Sequence, residues 1–513
     1  MAPSIAIRVD ASLTSGFGHV KRCLALAQAL REYGAAVRFI ARSQDVDVAA
    51  LVGVEGFAVT MLPVPGAVPV TGVMRDAQWV GEPWNVDASQ TITALCKTGV
   101  KWMVVDHYAL DERWHRAVAL ALSCKVAAID DLADRSMAVN VLIDHNLAAS
   151  HRLKYAGRIA EGTILLGGPR FALLGPTYAS AARYEFHDEV RSIGIFIGGT
   201  DASNLSAIAL CACRHAGFDG PIEIVTTRSN PHLAPLAAMA DARTTISVDL
   251  PELSAFFARH DLQIGAGGGA TWERCRVGAP TLAVVAADNQ VVVVPILAAL
   301  GAVAGLPSAS ASTPQNLAQA IGELLSDPLQ RRRLGVTSGR LVDGLGARRV
   351  ALCLLSETLY VRTATAADWE RTYLWRNHPD TRAVSRCAQP IDISDHQRWL
   401  EAALRNPQRH LMVGKVGGTE VGVVRMDEHD NGDVEVSLYL DPELHGIGLG
   451  SALLRAGEAY VAAILPSNRR LVATVLDHNP ISRRLFESAD YAFADGWWTK
   501  PLYHQDIAED NAQ

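Results

Sequence analysis

The sequence predicts an α/β protein in which two Rossmann-like lobes are followed by a smaller α+β domain. Up to about residue 350, short β-branched runs alternate with helix-period segments, a pattern typical of parallel sheets covered by helices. The alternation stops in the loop-rich stretch 167–189 and then starts again. Beyond residue 357 the chain becomes rich in tryptophan, and its apolar runs resemble antiparallel strands. A chain of 513 residues also exceeds the size of one ordinary core.

These changes of pattern define the expected domains. They are an N-terminal lobe at 1–165, an inter-lobe linker at 166–190, a second lobe at 191–350, an α+β domain at 357–505 and a polar tail at 506–513. Two such lobes place a ligand cleft between them.

The strand predictions rest on short runs of β-branched and apolar residues. In the first lobe they are 4–9, 36–41, 102–106, 125–130 and 141–144; in the second they are 191–200, 222–226, 261–266 and 280–285. Apolar residues recur with a period near 3.6 between Val20 and Leu30, which predicts a helix there. In the third domain, antiparallel strands are expected at 410–416, 420–426 and 433–441.

Composition excludes several classes of partner. A net charge of −7 provides no general attraction to nucleic acid or to an anionic membrane surface, so a phosphate-bearing ligand must be held locally. The most apolar stretch, 291–306, is shorter than a membrane span and predicts a buried helix followed by a strand. The N-terminus has no signal-peptide pattern and the eight cysteines are scattered, which predicts a cytoplasmic protein. The sequence leaves the oligomeric state open.

Three glycine-rich loops follow predicted strands, at 15–19, 198–204 and 265–275. A strand that ends in glycines and leads into a helix presents backbone N–H groups at the positive end of the helix dipole, which suits a diphosphate. None of the loops has the P-loop pattern or the dinucleotide-binding G-x-G-x-x-G pattern. One such loop alone is better explained as a tight turn, but three in paired lobes favour a ligand. The loop residues expected to bind it are Gly16, Gly18, Gly199, Gly267, Gly268 and Thr271.

Polar residues near these loops are further candidates. Glu273, one turn into the helix after the third loop, is placed to accept hydrogen bonds from ribose hydroxyls, or else to complement the helix dipole. Asn204 is a candidate for contact with diphosphate or sugar. Asp10, at the end of the first strand, either orients His19 or a sugar hydroxyl, or caps a turn. The remaining candidates form one polar cluster between two apolar runs, Asp288, Asn289 and Gln290.

The first 350 residues resemble the UDP-sugar hydrolases of pseudaminic acid biosynthesis. The matching segments, in the same order, are RVDASLTSGFGHVKRCLALA, VVDHYALDERW, FIGGTDASN, GAGGGATWERCRVGAPTLAVV and ADNQ. The resemblance implies a two-lobed GT-B fold and release of UDP from UDP-2,4-diacetamido-2,4,6-trideoxy-β-L-altropyranose by water, without a metal. A glycosyltransferase that uses a UDP-sugar is the alternative, because both reactions need the same UDP pocket. A sugar isomer from a related pathway would also present almost the same pocket.

His19 is the expected general base of that reaction. It lies in the first turn of the predicted helix, where the positive end of the dipole disfavours the imidazolium form, and the flanking glycines leave room for water and sugar. The family's catalytic histidine occupies this motif position. Tyr108 resembles the family tyrosine near the anomeric carbon, although packing at a strand end explains it equally well.

The stretch VEVSLYLDPELHGIGLGSALL in the third domain predicts a strand, a glycine turn and a helix, and it resembles the acetyl-CoA site of GNAT acetyltransferases. His445 replaces the Arg or Gln of the family pattern. The resemblance implies acetyl-CoA as co-substrate and contacts to it from Leu438, Leu440, His445, Gly446, Gly448, Leu449, Gly450, Asn479 and Ser482.

The acid and base of the acetyl transfer are less clearly marked. The family's general-acid tyrosine falls at Phe486, which cannot protonate a thiolate, so Tyr491 or water is expected to substitute. Glu435 is a possible base through water, or an outward-facing strand carboxylate. The stretch 375–400 looks like the acetyltransferase that acetylates the 4-amino group of the UDP-sugar in the same pathway; a domain kept only for interaction is the alternative. Together the two modules would perform consecutive steps.

Overall fold

The computed structural model describes residues 2–502 except 13–15, 43, 45, 65–80, 307, 309–312 and 467–468. The predicted polar tail at 506–513 therefore lies outside the described residues. The chain divides into two compact units, Met1–Val350 and Ala351–Gln513. In the part of the chain that the structure describes, we find no helix both long enough and apolar enough to cross a bilayer.

The first unit begins with a parallel sheet. Its strands are β1 (Ser4–Val9), β2 (Ala36–Arg42), β3 (Ala58–Leu62), β4 (Trp102–Asp106), β5 (Lys125–Ile129), β6 (Val141–Asp144) and β7 (Ile164–Gly167). They lie in the order β3-β2-β1-β4-β5-β6-β7. This is the Rossmann-like lobe expected from the sequence, although its last strand extends past residue 165.

A second parallel sheet repeats the design. Its strands are β8 (Ile193–Phe196), β9 (Ile222–Thr226), β10 (Thr244–Val248), β11 (Leu262–Ala266), β12 (Thr281–Val284) and β13 (Ala304–Gly305). They lie in the order β10-β9-β8-β11-β12-β13. The α/β prediction with two Rossmann-like lobes is confirmed, including the helix followed by a strand within 291–306.

Helices lie between or after the parallel strands of this unit, and the last of them runs past residue 350. They are α1 (Gly18–Glu32), α2 (Val48–Val54), α3 (Trp84–Leu95), α4 (Glu112–Leu122), α5 (His151–Lys154), α6 (Leu205–His215), α7 (Leu233–Ala238), α8 (Ser254–Arg259), α9 (Ala270–Val277), α10 (Val293–Ala299), α11 (Pro314–Ser326), α12 (Pro328–Leu341) and α13 (Gly346–Leu354). Thr313 and Asp327 cap α11 and α12 through side-chain oxygens, and a proline follows each cap, so the sequence itself specifies where these helices begin.

Each parallel sheet has a point where the strand order reverses. In the first sheet it lies between β1 and β4, and in the second between β8 and β11. Loops leaving the carboxyl ends of such neighbouring strands turn to opposite faces and leave a crevice, which is where α/β proteins bind ligands. All three glycine-rich loops follow β1, β8 or β11.

The second unit is built on a mixed sheet. Its strands are β14 (Tyr360–Thr363), β15 (Arg409–Val416), β16 (Thr419–Glu428), β17 (Asp433–Leu440), β18 (Arg470–Ala473), β19 (Ala492–Ala494) and β20 (Trp497–Pro501), in the order β14-β15-β16-β17-β18-β20-β19. Its helices are α14 (Trp369–Asn377), α15 (Pro379–Ala383), α16 (Ile393–Arg405), α17 (Leu449–Ile464) and α18 (Pro480–Glu487). Strands β15 to β17 are antiparallel, as predicted, and β17 pairs with β18 in parallel.

In the first unit, the sequence analysis missed β3, β7 and β10. Strands β3 and β10 are edge strands with largely accessible side chains, so they lack the continuous apolar run that identifies the buried strands. Strand β7 is four residues long and ends in glycine, which makes it look like part of a turn.

A buried charge network connects the elements of the first lobe. Asp87 on α3 accepts hydrogen bonds from Arg8 Nη2 at 2.8 Å, Arg42 Nη2 at 2.6 Å and Trp114 Nε1 at 2.9 Å. All four side chains are fully buried. Burial alone would raise the pKa of Asp87, but Arg8 and Arg42 lower it from 3.8 to about 2.

Asp87→Ala should therefore destabilise the protein by about 3–5 kcal/mol, because it leaves two buried guanidinium groups without their shared partner. The measurement is the urea midpoint of the full chain, with Asp219→Ala as control, since the Asp219 side chain is 93% exposed. The native pKa lies below the unfolded value, so the contribution of Asp87 is complete above about pH 4 and is lost as the pH falls through about 2. Equal midpoints for the two variants would contradict this account.

Candidate active sites

The strand-order reversal of the first sheet brings His19 and Asp106 together. His19 lies in the first turn of α1, after β1, and Asp106 is the last residue of β4. His19 Nδ1 lies 2.7 Å from Asp106 Oδ1. Arg22, one turn further along α1, donates from Nε to Asp106 Oδ2 at 2.6 Å and from Nη2 to Oδ1 at 2.5 Å. The histidine is thus held by a carboxylate that is itself held by an arginine.

This arrangement defines what His19 can do chemically. Burial would raise the pKa of Asp106, but the Arg22 charge and the hydrogen bonds from Arg22 and His19 hold it far below its usual range, so the carboxylate is an anion at neutral pH. With its proton on Nδ1 and donated to Asp106, the imidazole has its basic lone pair on Nε2. A histidine oriented in this way is suited to accept a proton from water.

Asp10 does not have the orienting position that the sequence analysis considered for it. Its carboxylate pairs with Arg8, accepts the Arg42 backbone N–H at 2.7 Å and lies 3.3 Å from His107 Nε2. It belongs to the buried charge network, and Asp106 takes the place beside His19. The sequence analysis did not consider Asp106. The feature that could have identified it is its position as the last residue of a buried strand, directly before His107 and Tyr108.

Tyr108 forms one wall beside His19. The two rings lie edge to face with centroids 5.0 Å apart, and the Tyr108 hydroxyl donates to Asp131. Asn146 Nδ2 donates to the other oxygen of Asp131 at 2.9 Å. Burial and the Asp131 charge raise the pKa of Tyr108 well above its usual range, so the phenol stays neutral.

His145 completes the polar set of the first lobe and was missed by the sequence analysis. It follows β6, is 5% exposed, and its Nδ1 has no hydrogen-bond partner. Burial and the Arg22 charge lower the pKa of His145 to about 4, so it is neutral near pH 7. Its ring lies edge-on to Trp272 of α9, with centroids 6.4 Å apart. His145 therefore lies where the first lobe meets the second.

The loops after β1 and β8 also meet across the lobes. A Cβ atom added to Gly199 would lie 3.0 Å from Phe17 Cδ2, so a larger residue there would press on the start of α1. Gly16 has a φ of +73°, and nothing lies within 4 Å of a Cβ built on Gly16 or Gly18. Open space therefore surrounds the glycines that flank His19, as expected for a ligand site.

In the loop after β11, two of the expected ligand contacts act within the protein instead. Gln290 Oε1 accepts the backbone N–H groups of Gly267 at 3.1 Å and Ala286 at 2.9 Å. The Thr271 hydroxyl is fully buried and donates to the Ala266 carbonyl at 3.1 Å. Both side chains shape the loop from behind, because their polar atoms are bonded inside the lobe.

The remaining candidates around this loop are either exposed polar residues or glycines with close neighbours. Asp288 and Asn289 are exposed. A Cβ atom on Gly267 would lie 2.2 Å from Val294 Cγ2, and one on Gly268 would lie 3.3 Å from Gln290 Nε2. The close approach of α10 is the reason that the loop needs glycine at Gly267.

Two oxygen atoms in or beside the glycine loops of the second lobe are buried without a hydrogen bond. Asp201 caps α6 by accepting from the backbone N–H groups of Leu205 and Ser206, both at 2.9 Å, which leaves Asn204 Oδ1 without a partner. Glu273 Oε2 is also buried without a hydrogen bond, and burial raises the pKa of Glu273 although the Lys21 charge and the nearby Tyr178 hydroxyl oppose this. Buried unpaired polar atoms are rare and call for a partner, which a bound ligand can supply.

The second unit contains a wedge between β17 and β18. The two strands pair from Asp433 with Arg470 to Glu435 with Val472, and the ladder stops there although β17 continues to Leu440. Leu438 and Leu440 lie on the part of β17 beyond the last pair and are partly buried. Backbone groups of a strand that lacks a neighbour are available to a ligand that inserts as an extended chain.

A glycine turn lies at the end of β17. Gly446 and Gly448 have φ values of +81° and +84°, nothing lies within 4 Å of a Cβ built on Gly446, and α17 begins at the fully buried Leu449. The other expected cofactor residues surround this helix start or lie on the next helix. His445 precedes the turn, Gly450 has Leu485 3.8 Å from its Cβ position, and Asn479 caps α18 by accepting from Ser482 N at 3.0 Å.

The candidate acid and base of this unit differ in their surroundings. Glu435 occupies the last paired position before the wedge, and Arg386 Nη2 lies 2.9 Å from its Oε1. Tyr491 is buried against Phe486, and its hydroxyl donates to Glu458 at 2.8 Å. Burial and the Glu458 charge raise the pKa of Tyr491 far above its usual range. The structure thus ties the Tyr491 proton to a carboxylate, which opposes the acid role expected from the sequence.

Comparisons with known proteins match both units. Residues 358–492 match the acetyltransferase (GNAT) domain model. The chain is 25% identical over 242 residues to the UDP-2,4-diacetamido-2,4,6-trideoxy-beta-L-altropyranose hydrolase of Campylobacter jejuni, which covers 47% of this chain and 76% of that protein. Among solved structures, MurG of Acinetobacter baumannii is 17% identical with a TM-score of 0.49, covering 68% of this chain and 98% of MurG. Aminoglycoside acetyltransferase AAC(6')-Ib in complex with coenzyme A is 17% identical with a TM-score of 0.26, covering 28% of this chain and 94% of that one. The chain therefore joins a unit of two Rossmann-like sheets to a GNAT acetyltransferase domain.

Proposed function

We propose that this chain is a bifunctional nucleotide-sugar enzyme. Its GNAT domain transfers an acetyl group from acetyl-CoA to the 4-amino group of a UDP-sugar, and its two-lobed unit then hydrolyses the product to release UDP. The observation that carries the hydrolase proposal is the pair formed by His19 and Asp106 at the strand-order reversal, where Phe17, at the start of α1, lies close to Gly199 of the second lobe. The sugar that we propose is a UDP-linked 2,4-diacetamido-2,4,6-trideoxyhexose, by analogy with the sugar in the name of the C. jejuni hydrolase.

In the hydrolysis, His19 acts as general base. Nε2 takes a proton from a water molecule while the water oxygen attacks the anomeric carbon, and the bond between that carbon and the phosphate oxygen breaks. UDP leaves with the bonding electron pair. Asp106 stabilises the imidazolium that forms and keeps the ring in the required orientation. Tyr108 stays protonated and lines the space beside the ring.

The second lobe binds the UDP part in this proposal. Backbone N–H groups of the loops after β8 and β11 face the diphosphate, and the N-terminus of α9 adds the positive end of its dipole. Glu273 Oε2 and Asn204 Oδ1, both buried without partners, accept hydrogen bonds from hydroxyl or amide groups of the ligand.

In the acetylation, the wedge between β17 and β18 takes the pantetheine arm and the turn at Gly446 and Gly448 takes the diphosphate of acetyl-CoA. The sugar amine attacks the thioester carbonyl, the carbon–sulfur bond breaks, and the coenzyme A thiolate leaves and takes up a proton. Glu435, at the mouth of the wedge, removes the amine proton through water. Because the Tyr491 hydroxyl is bonded to Glu458, we assign the proton on the leaving thiolate to water.

Both reactions are tested together by NMR of the full chain with the UDP-linked 4-amino sugar. With acetyl-CoA present, the N-acetylated nucleotide sugar should appear first, followed by free UDP and the reducing sugar. Without acetyl-CoA, UDP release should be absent or slow. Accumulation of the acetylated nucleotide sugar without UDP would reject the hydrolase, and transfer of the sugar to an added acceptor would then become the leading function.

Asp106→Asn should lower kcat for UDP release by about 10²–10⁴-fold, because the amide cannot stabilise the imidazolium form of His19. The affinity for UDP, measured by calorimetry, should stay within about twofold, because Asp106 acts on the histidine and not on the nucleotide. Asp134→Asn is the matched control, since that carboxylate is 47% exposed and pairs with Arg135 instead. Wild-type turnover by Asp106→Asn would remove Asp106 from the mechanism.

Gly448→Asp should abolish acetyl-CoA binding, because a side chain and a negative charge then occupy the proposed diphosphate site. Gly432→Asp is a control for backbone strain, since Gly432 also has a positive φ, of +90°, and open space around its Cβ position. Both variants carry a similar conformational cost of about 1–2 kcal/mol. Calorimetric titration with acetyl-CoA should separate them, and equal affinities would contradict the assignment of this turn. UDP release from an already acetylated substrate should be normal in both.

A further inference from the structure

Arg274 lies behind the loop that follows β11. It is on the second turn of α9 and is 1% exposed. Its Nη2 donates to the Ala266 carbonyl at 2.7 Å and to Thr271 Oγ1 at 3.1 Å. The guanidinium therefore connects the end of β11 to the start of α9, the two ends of the glycine loop. The chain makes room for it, since a Cβ atom on Gly265 would lie 2.3 Å from Arg274 Nη1.

The charge of this guanidinium is not neutralised within the lobe. Its Nε and Nη1 atoms are buried without a hydrogen-bond partner. Among the described residues no carboxylate forms an ion pair with Arg274, although the neighbouring Glu273 acts on it electrostatically. Burial lowers the pKa of Arg274 to about 10, which still leaves it charged at neutral pH. Besides its two hydrogen bonds, the guanidinium lies over the Phe257 ring, whose centroid is 5.8 Å from Cζ.

A buried charge without a carboxylate partner is costly, and the first lobe shows one solution. There the buried guanidinium groups of Arg8 and Arg42 share the carboxylate of Asp87. In the second lobe the described residues give Arg331 no carboxylate partner either, and it donates to backbone carbonyls, whereas Arg274 donates to both ends of the glycine loop. The N-terminus of α9 and the loop N–H groups add positive potential in the same place.

We propose that Arg274 is a positioning residue that supplies the counter-charge for the diphosphate of the nucleotide bound at the loop 265–271. It acts from behind the loop, through its hold on Ala266 and Thr271 and through its charge, and does not touch the phosphates. The proposal rests on the proposed binding of UDP by this lobe. If Arg274 acts through its charge, the binding of UDP should depend on it. The binding of uridine, which has the same base and ribose but no phosphate, should not.

The test uses the full chain with Arg274→Met and Arg274→Lys, and calorimetric titrations with UDP and with uridine. Arg274→Met should weaken UDP binding by about 10- to 100-fold and uridine binding by less than about threefold, because only UDP has the charge that Arg274 faces. Arg274→Lys keeps the charge but cannot hold the loop at both ends, so its ratio of UDP to uridine affinity should stay within about threefold of wild type. Without ligand, Arg274→Met should melt at the same temperature as wild type or above it, since an unpaired buried charge has been removed.

Each possible result either supports or overturns the proposal. Equal weakening of UDP and uridine by Arg274→Met would make the residue a structural support of the loop and overturn the proposal, as would unchanged binding of both ligands. If Arg274→Met does not fold, a collapse of the affinity ratio in Arg274→Lys overturns the proposal and a retained ratio supports it. A wild-type chain that binds neither UDP nor uridine overturns the proposed function of the lobe itself, and this inference with it.

Discussion

The reversal of strand order in each parallel sheet is the constraint from which the first unit's proposed chemistry follows. Between β1 and β4, and again between β8 and β11, the connecting helices turn to opposite faces, so the carboxyl ends of two adjacent strands open onto a crevice. His19 and Asp106 come from the two strands that flank the first crevice. Two of the three glycine loops come from the two strands that flank the second. Phe17, in the loop after β1, lies close to Gly199, in the loop after β8.

The buried charges of the two lobes differ in their partners. In the first lobe each buried arginine has a carboxylate partner, and the pairs join strands to helices, which gives the site a rigid support. Asp106 belongs to this set and is also the partner of His19, so one carboxylate serves both stability and the proposed chemistry. In the second lobe Arg274 lacks such a partner, and oxygens of Glu273 and Asn204 lack hydrogen bonds. These three groups lie in or beside the loops where the nucleotide is proposed to bind, and a ligand there would complete their electrostatics.

In the GNAT domain, the proposed cofactor site is formed by a gap between two strands of the sheet. Its sheet is continuous until Glu435 and Val472, where β17 and β18 part and leave strand backbone without a neighbour. The positive φ values of Gly446 and Gly448 then turn the chain tightly into α17. A parted strand pair suits an extended arm, and the turn suits a diphosphate, so the geometry fits one long cofactor. In the proposed functions, both units use the positive end of a helix N-terminus to bind a diphosphate.

Local sequence determined the buried strands, the glycine loops and the place of His19, because each depends on residues that are adjacent or spaced by one structural period. The sequence could not choose between Asp10 and Asp106 as the partner of His19, since Asp106 lies 87 residues away and both aspartates follow β-branched runs. Only the order of strands placed β4 beside β1 and directed Asp10 towards Arg8. Tertiary packing likewise turned Gln290 and Thr271 inward and left His145 without a partner for Nδ1. These outcomes depend on which distant segments become neighbours, and a pattern along one chain does not contain that information.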